Sequence, residues 1–279
     1  MVFLLLAILS STLISFLMRL SAEKTSGGVS MLVTNYLMCT LLSAVYIGDG
    51  GFFPQTESLS QTLALGAVHG LLLLLGFVLF QVNVRKNGVV LPAIFMKLGL
   101  LIPLVMSIFL FHEIPTVNEV VGFCLAVGAI ILINLKKDGA SRFGWGLVLL
   151  LLSGGLADAM CKVYEELGDA DLSEHFLFYT FAAASILCIA LAAIKKERPG
   201  KTEILFGCLI GVPNFFSSRF LLQALDTMDA VIVYPTFSVG TLLLVTLLGL
   251  AVFHERLTRR QWIAVAIILL ALVLLNLPA

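Results

Sequence analysis

The chain has 279 residues, of which 60% are hydrophobic and 12% charged, with a mean hydropathy of +1.08 and a formal net charge of zero. A water-soluble domain carries about 25% charged residues, so this composition excludes one and indicates an integral membrane protein with the lipid bilayer as its partner. Zero net charge offers no general attraction to nucleic acid, and none is expected as a partner.

Apolar runs predict membrane-spanning helices at 2–20, 29–47, 61–83, 89–111, 117–135, 143–164, 175–194, 203–224, 230–253 and 259–277. A bilayer core about 30 Å thick takes about 20 residues per span, so ten spans use about 200 residues and leave short connections. Gly27-Gly28, Gly48-Asp49-Gly50-Gly51, Asn87-Gly88, Asp138-Gly139 and Pro199-Gly200 supply turn chemistry between them. The first nine residues are apolar without a basic stretch, and no small-residue cleavage site follows, so the first span is expected to be retained. Cys39, Cys124, Cys161, Cys188 and Cys208 fall within apolar runs without metal-site spacing and read as packing residues, so no metal or cofactor is expected.

The 17 Lys and Arg residues set an orientation. All but Lys97, Lys162 and Arg219 lie in connections one, three, five, seven and nine. The even connections carry acidic residues such as Asp49, Glu57, Glu113, Asp169 and Asp226 instead. Basic short loops stay cytoplasmic, which places both termini outside the cytoplasmic membrane.

The chain also repeats itself. Phe111-His112-Glu113 recurs as Phe253-His254-Glu255, an offset of 142 residues, and at that offset Gln81 matches Gln223, Thr116 matches Thr258 and Asn134 matches Asn276. Five spans per half turn the second copy upside down, so equivalent loops should carry opposite charge bias. Arg85-Lys86 against Asp226 and Asp229 shows that pattern. The expected fold is an all-α membrane protein of ten transmembrane helices in two inverted five-helix repeats, 1–137 and 143–279, forming one transport domain. The paired Gln, Glu (Glu113, Glu255) and Asn residues are structural landmarks of the repeat.

With Glu113-Ile-Pro-Thr116 and Glu255-Arg-Leu-Thr258 closing the fourth and ninth spans, the whole chain resembles the EamA-type branch of the drug/metabolite transporter superfamily. The resemblance implies a carrier of small polar metabolites or drugs, with a central cavity lined by the first, third, fourth, sixth, eighth and ninth helices. Members of that family often have cytoplasmic termini, the reverse of what the basic loops imply.

An ionisable group inside a span costs about 2.5–3.5 kcal/mol on insertion scales, so each needs a partner or a water-filled cavity. Four stand out: Lys97, Asp158, Lys162 and Arg219. Asp158 and Lys162, spaced i,i+4, share a helix face and can pair, either as a private ion pair or as a switch with Asp158 as its proton- or substrate-binding group. That pairing would leave Lys97 and Arg219 as uncompensated cations for a substrate carboxylate or phosphate. Arg219 could instead cap carbonyls or pair with Asp226 or Asp229, whereas Lys97, about 12 Å along its helix from the end, is too deep to snorkel comfortably. Asn214 beside Pro213, and Tyr234 beside Pro235, add polar groups where a proline frees or bends the backbone. His69 reads as a hydrogen-bonded core histidine, with proton coupling as the other reading. Gly66 to Gly70 and Gly207 to Gly211 allow close helix approach.

Neither His-Glu pair is followed by the second His of a zinc-protease helix, and no phosphate-cradling loop or nucleophile elbow occurs, so no catalytic residue is expected. The expected activity is secondary active transport, by alternating access, of a small anionic or zwitterionic metabolite. Lys97, Asp158, Arg219, Asn214 and Tyr234 are assigned to the substrate, and Asp158, Lys162 and His69 to coupling or switching, with a proton or sodium ion as coupling ion, in a monomer or homodimer. The alternatives are a proton-coupled exporter of lipophilic cations, which the embedded cations disfavour, and a facilitative channel or scaffold.

Overall fold

A computed structural model describes residues 1–25, 29–47, 51–100, 102, 117–134, 144–225, 227–228, 230–254 and 257–274. Among these the chain is all-helical: α1 (Val2–Lys24), α2 (Ser30–Ile47), α3 (Leu59–Asn87), α4 (Val90–Lys97, running into a 3₁₀ turn at Leu98–Leu100), α5 (Val117–Asn134), α6 (Trp145–Leu167), α7 (Ser173–Ile194), α8 (Lys201–Leu225), α9 (Ala230–Ala251) and α10 (Arg259–Leu274). Each apolar run of the sequence overlaps one of them. Five helical stretches, Val2–Lys24, Ser30–Ile47, Leu59–Asn87, Ala170–Ile194 and Lys201–Ala224, are long and apolar enough to cross a bilayer, and shorter apolar stretches accompany them.

Several helices outrun their apolar runs, α1 and α3 by four residues each at the C-terminal end. Hydropathy ends a span where charge begins, but a helix continues until its backbone is stopped. In α3 the stop is Gly88, at φ +75°, where the left-handed region favours glycine. Arg85 in its last turn is held by the carbonyl and hydroxyl of Thr25 at 2.8 and 2.7 Å. α7 instead ends with its run at Ile194, and beyond it Lys196, at φ 54°, turns the chain so that the Glu197 amide bonds back to the Ala192 carbonyl. Glu197 then accepts from the Ser30 amide at the start of α2.

Polarity is distributed inside out. Asn35 and Thr180 are fully buried, whereas Ile186 and Val45 are 67% and 74% exposed. Apolar side chains facing outward and small polar ones facing inward suit hydrocarbon as the surrounding medium.

The helices pack mainly across the middle of the chain, and in matched pairs. α1 lies against α8 and α9, and correspondingly α6 lies against α3 and α4; α2 meets α7 and α8, as α7 meets α2 and α3; α5 packs on α10. Glycines make these crossings, and they match at a spacing of 141 residues. A Cβ on Gly66 would stand 2.9 Å from that of Tyr179, and one on Gly70 would strike the Thr180 carbonyl, so α3 seats directly on α7. Gly207 and Gly211 do the same for α8 on α2, against Met31, Thr34, Asn35 and Met38. Gly99 meets the backbone of Gly155, and its match Gly240 meets Ile8.

Connections contact one another in two sets. Glu197 reaches Ser30 and Arg85 reaches Thr25, joining odd connections; Ser58 donates to Asp169 at 2.6 Å, joining even ones. The His-Glu motifs contribute only His254, at φ 49°; Glu113, Glu255 and Asn276 lie outside the described residues. Asn134 ends α5, its side chain likewise outside them. Gln81 is buried, and Gln223 has a buried Oε1 without a partner among the described residues.

Candidate functional site

The Gly99–Gly155 crossing also positions the two charges of the protein's central cavity. Lys97 stands two residues before Gly99 on α4, and Asp158 one turn beyond Gly155 on α6. Bringing the glycine backbones into contact therefore brings both side chains to one space. That space is a cavity of about 150 Å³, room for several water molecules or a small solute. Asp158 and Lys97 are each other's electrostatic partners across it. The Lys97 ammonium also lies 3.8 Å from the centre of the Phe237 ring on α9.

The remaining walls are stripes at helical spacing. α8 presents Asn214, Ser217, Ser218, Leu221 and Leu222; α1 presents Ser11, Ile14 and Ser15; α3 presents His69, Leu73, Phe77 and Phe80. The Ser218 hydroxyl donates to the Asn214 carbonyl and that of Ser15 to the Ser11 carbonyl, so each donor is satisfied while its lone pairs stay available. All six helices implied by the resemblance contribute, and α7 adds Phe176 and Leu177.

Near the α7 end of the cavity Phe176 is layered between two rings. His69 lies 5.3 Å away at 7° and Tyr164 lies 3.9 Å away at 10°. Buried His69 has Thr180 Oγ1 at 3.4 Å from Nδ1 and Cys161 Sγ at 3.5 Å from Nε2. Of the cysteines read as packing residues, Cys161 is therefore also a wall residue of the cavity.

Three expectations change. Lys97 is not left uncompensated by an Asp158–Lys162 pair, because Asp158 acts on it across the cavity; the Lys162 side chain lies outside the described residues. Arg219 is not an uncompensated cation either. It pairs with Glu174 at 2.8 Å and stacks 3.8 Å from the Tyr46 ring, and the described cavity lining does not include it. Glu174, rather than Asp226 or Asp229, is its partner because α7 begins at Ser173 and its first turn lies beside α8. Asn214 does reach the cavity, while its Nδ2 donates to Asn35 Oδ1 at 3.4 Å. Tyr234 lies on α9, its side chain outside the described residues.

Sequence reasoning missed Phe237, Ser217, Ser218, Ser11 and Ser15. The Asn214-Ser217-Ser218 stripe at i, i+3, i+4 inside an apolar helix was a readable signal; Phe237, one phenylalanine among 20, gave none.

Comparison with known proteins agrees with this architecture. A solved crystal structure superposes over 98% of this chain and 94% of the other with a TM-score of 0.59, at 16% identity, a likeness of fold. A protein of Haemophilus influenzae, described as uncharacterized, is 24% identical over 276 residues, covering 94% of this chain and 93% of the relative. The model of the EamA-like transporter family matches residues 144–277, the stretch that runs from α6 to α10. Residues 144–277 thus match the EamA-like transporter family, and the chain is a multi-pass integral membrane protein.

Proposed function

We propose that the protein is a secondary active transporter that moves a small zwitterionic or anionic metabolite across the cytoplasmic membrane by alternating access. One observation carries the reading: a cation from the first half and an anion from the second, Lys97 and Asp158, face one cavity. With Arg219 held by Glu174, the cavity no longer presents two cations to one anion, and the balance favours a zwitterion over a plain anion. The substrate's carboxylate would take Lys97 and its cationic end Asp158, with Asn214, Ser217 and Ser218 fixing its orientation. His69 is assigned to proton coupling, with sodium as the other ion to test.

The architecture belonging to this function is ten transmembrane helices in two inverted five-helix halves, 1–137 and 143–279. The matched packing of α1 on α8 with α6 on α3, and the glycines at a common spacing, support it. The odd connections are assigned to the cytoplasm and both termini to the outside, on the charge of the loops.

The four phenylalanines of the wall, Phe77, Phe80, Phe176 and Phe237, favour a second reading, a proton-coupled exporter of lipophilic cations centred on Asp158. Proteoliposome flux separates the two. Uptake of amino-carboxylates that is lost in both Lys97→Ala and Asp158→Asn supports the first reading. Drug-cation efflux that survives Lys97→Ala and is lost in Asp158→Asn replaces it with the second.

A further inference from the structure

We infer that Lys97 is a lock between the two halves of the protein, closed by Asp158 and Phe237 and opened when a zwitterionic solute exchanges partners with it. The inference rests on the proposed substrate class and adds how that substrate drives the conformational change. Lys97 is on α4, in the first half, whereas the Phe237 ring 3.8 Å from its ammonium, on α9, and its electrostatic partner across the cavity, Asp158 on α6, are in the second. No other charged side chain stands among the described residues of the cavity wall. The tie therefore crosses the halves at the place a solute must occupy.

A bound solute alters a conformational equilibrium only through unequal interaction with its states. A carboxylate placed on Lys97 substitutes for Asp158, and an ammonium placed on Asp158 substitutes for Lys97. Both charges stay compensated while the attraction between the halves is removed. A singly charged solute satisfies one side and strands the other, at the cost of a buried unpaired charge, so it binds without opening the lock. The Gly99–Gly155 contact next to the two charges keeps α4 and α6 close enough for Lys97 and Asp158 to attract each other across the cavity.

The native thiol of Cys161, on the cavity wall, reports the state of the lock. Its alkylation by a maleimide is measured at peptide level in proteoliposomes, first without solute. Lys97→Gln and Asp158→Asn should each change its rate about fivefold or more, the lower end of an ordinary coupling between sites. Lys97→Gln combined with Asp158→Asn should change it no further. The charge exchange Lys97→Asp with Asp158→Lys should restore the native rate, which separates a lost tie from a damaged fold. Adding millimolar short amino-carboxylates should move the native protein in the direction of the single variants; acetate and methylammonium should not. Unchanged alkylation in both single variants overturns the lock, even where flux is lost. A changed rate with no amino-carboxylate flux overturns the proposed substrate class and leaves the tie between halves standing.

Discussion

Lys97 lies 3.8 Å from the Phe237 ring with Asp158 as its electrostatic partner, and Arg219 lies 3.8 Å from the Tyr46 ring with Glu174 at 2.8 Å. Each of these two cations thus has one aromatic ring and one carboxylate. They differ in their surroundings. Lys97 and Asp158 open onto the cavity, while Arg219 sits behind it among α2, α7 and α8, its carboxylate already within hydrogen-bond distance. The guanidinium fork suits a close fixed pair, and the compact ammonium on a flexible stem suits a charge that changes partners. A buried charge therefore does not mark a substrate site; a buried charge facing space and a partner it can release is the better mark.

The largest effect should come from removing the cation on the cavity side. Lys97→Ala is expected to lower amino-carboxylate flux by about 100-fold, the loss of one desolvated charge contact. Thermal unfolding in detergent should shift little, because Asp158 faces a cavity of about 150 Å³ with room for water. Arg219→Ala should do the opposite, keeping flux within about threefold while lowering the unfolding midpoint, since Glu174 would lose its partner. Large flux losses in both would erase the distinction between the two sites.

Glu174→Gln tests the same contrast from the acidic side. Breaking a buried pair costs about 3–5 kcal/mol, and because Glu174 is one-third exposed a loss of about 2 kcal/mol is expected. For a chain of this size that lowers the midpoint by several degrees, at about 2–4 °C per kcal/mol. An unchanged midpoint would show that solvent already screens the pair.

Much of this was legible in the amino-acid sequence, and the unread part has one physical source. Ten apolar runs overlap ten helices among the described residues because the cost of unsatisfied backbone in lipid makes hydropathy a direct reporter of helix. The small-residue pairs at Gly66 to Gly70 and Gly207 to Gly211 sit at the crossings their spacing suggested. Partners between helices were not legible. A helical wheel puts Asp158 and Lys162 on one face, and it cannot show that the crossing of Gly99 with Gly155 brings Lys97 to Asp158 from another helix. Glu174 escaped notice as a partner because the apolar run begins at 175, one residue too late to include it in the span. Local periodicity shows which face a residue is on, and packing decides what that face meets.

Exchanging the cations' chemistry gives a smaller effect. Arg219→Lys keeps the charge but loses the planar fork on Glu174 and the flat stack on Tyr46, and a loss of about 1 kcal/mol is expected. Lys97→Arg also keeps the charge, yet it puts a bulkier group into a cavity of about 150 Å³. Flux should fall while the midpoint holds, so the two reciprocal swaps damage different properties.

The smallest effect separates the two rings. A cation–π contact is worth about 0.5–2 kcal/mol depending on desolvation, and both rings can be removed with the apolar volume largely kept. Tyr46→Leu should lower the midpoint by no more than a few degrees and leave flux alone, because the Glu174 contact still holds Arg219. Phe237→Leu should leave the midpoint alone and raise the KM for flux about fivefold, because the ammonium proposed to meet the substrate loses the ring beside it. A change in KM from Tyr46→Leu equal to that from Phe237→Leu would mean that Arg219 communicates with the cavity. In that case the division into a holding cation and an exchanging one would fail at its weakest contact.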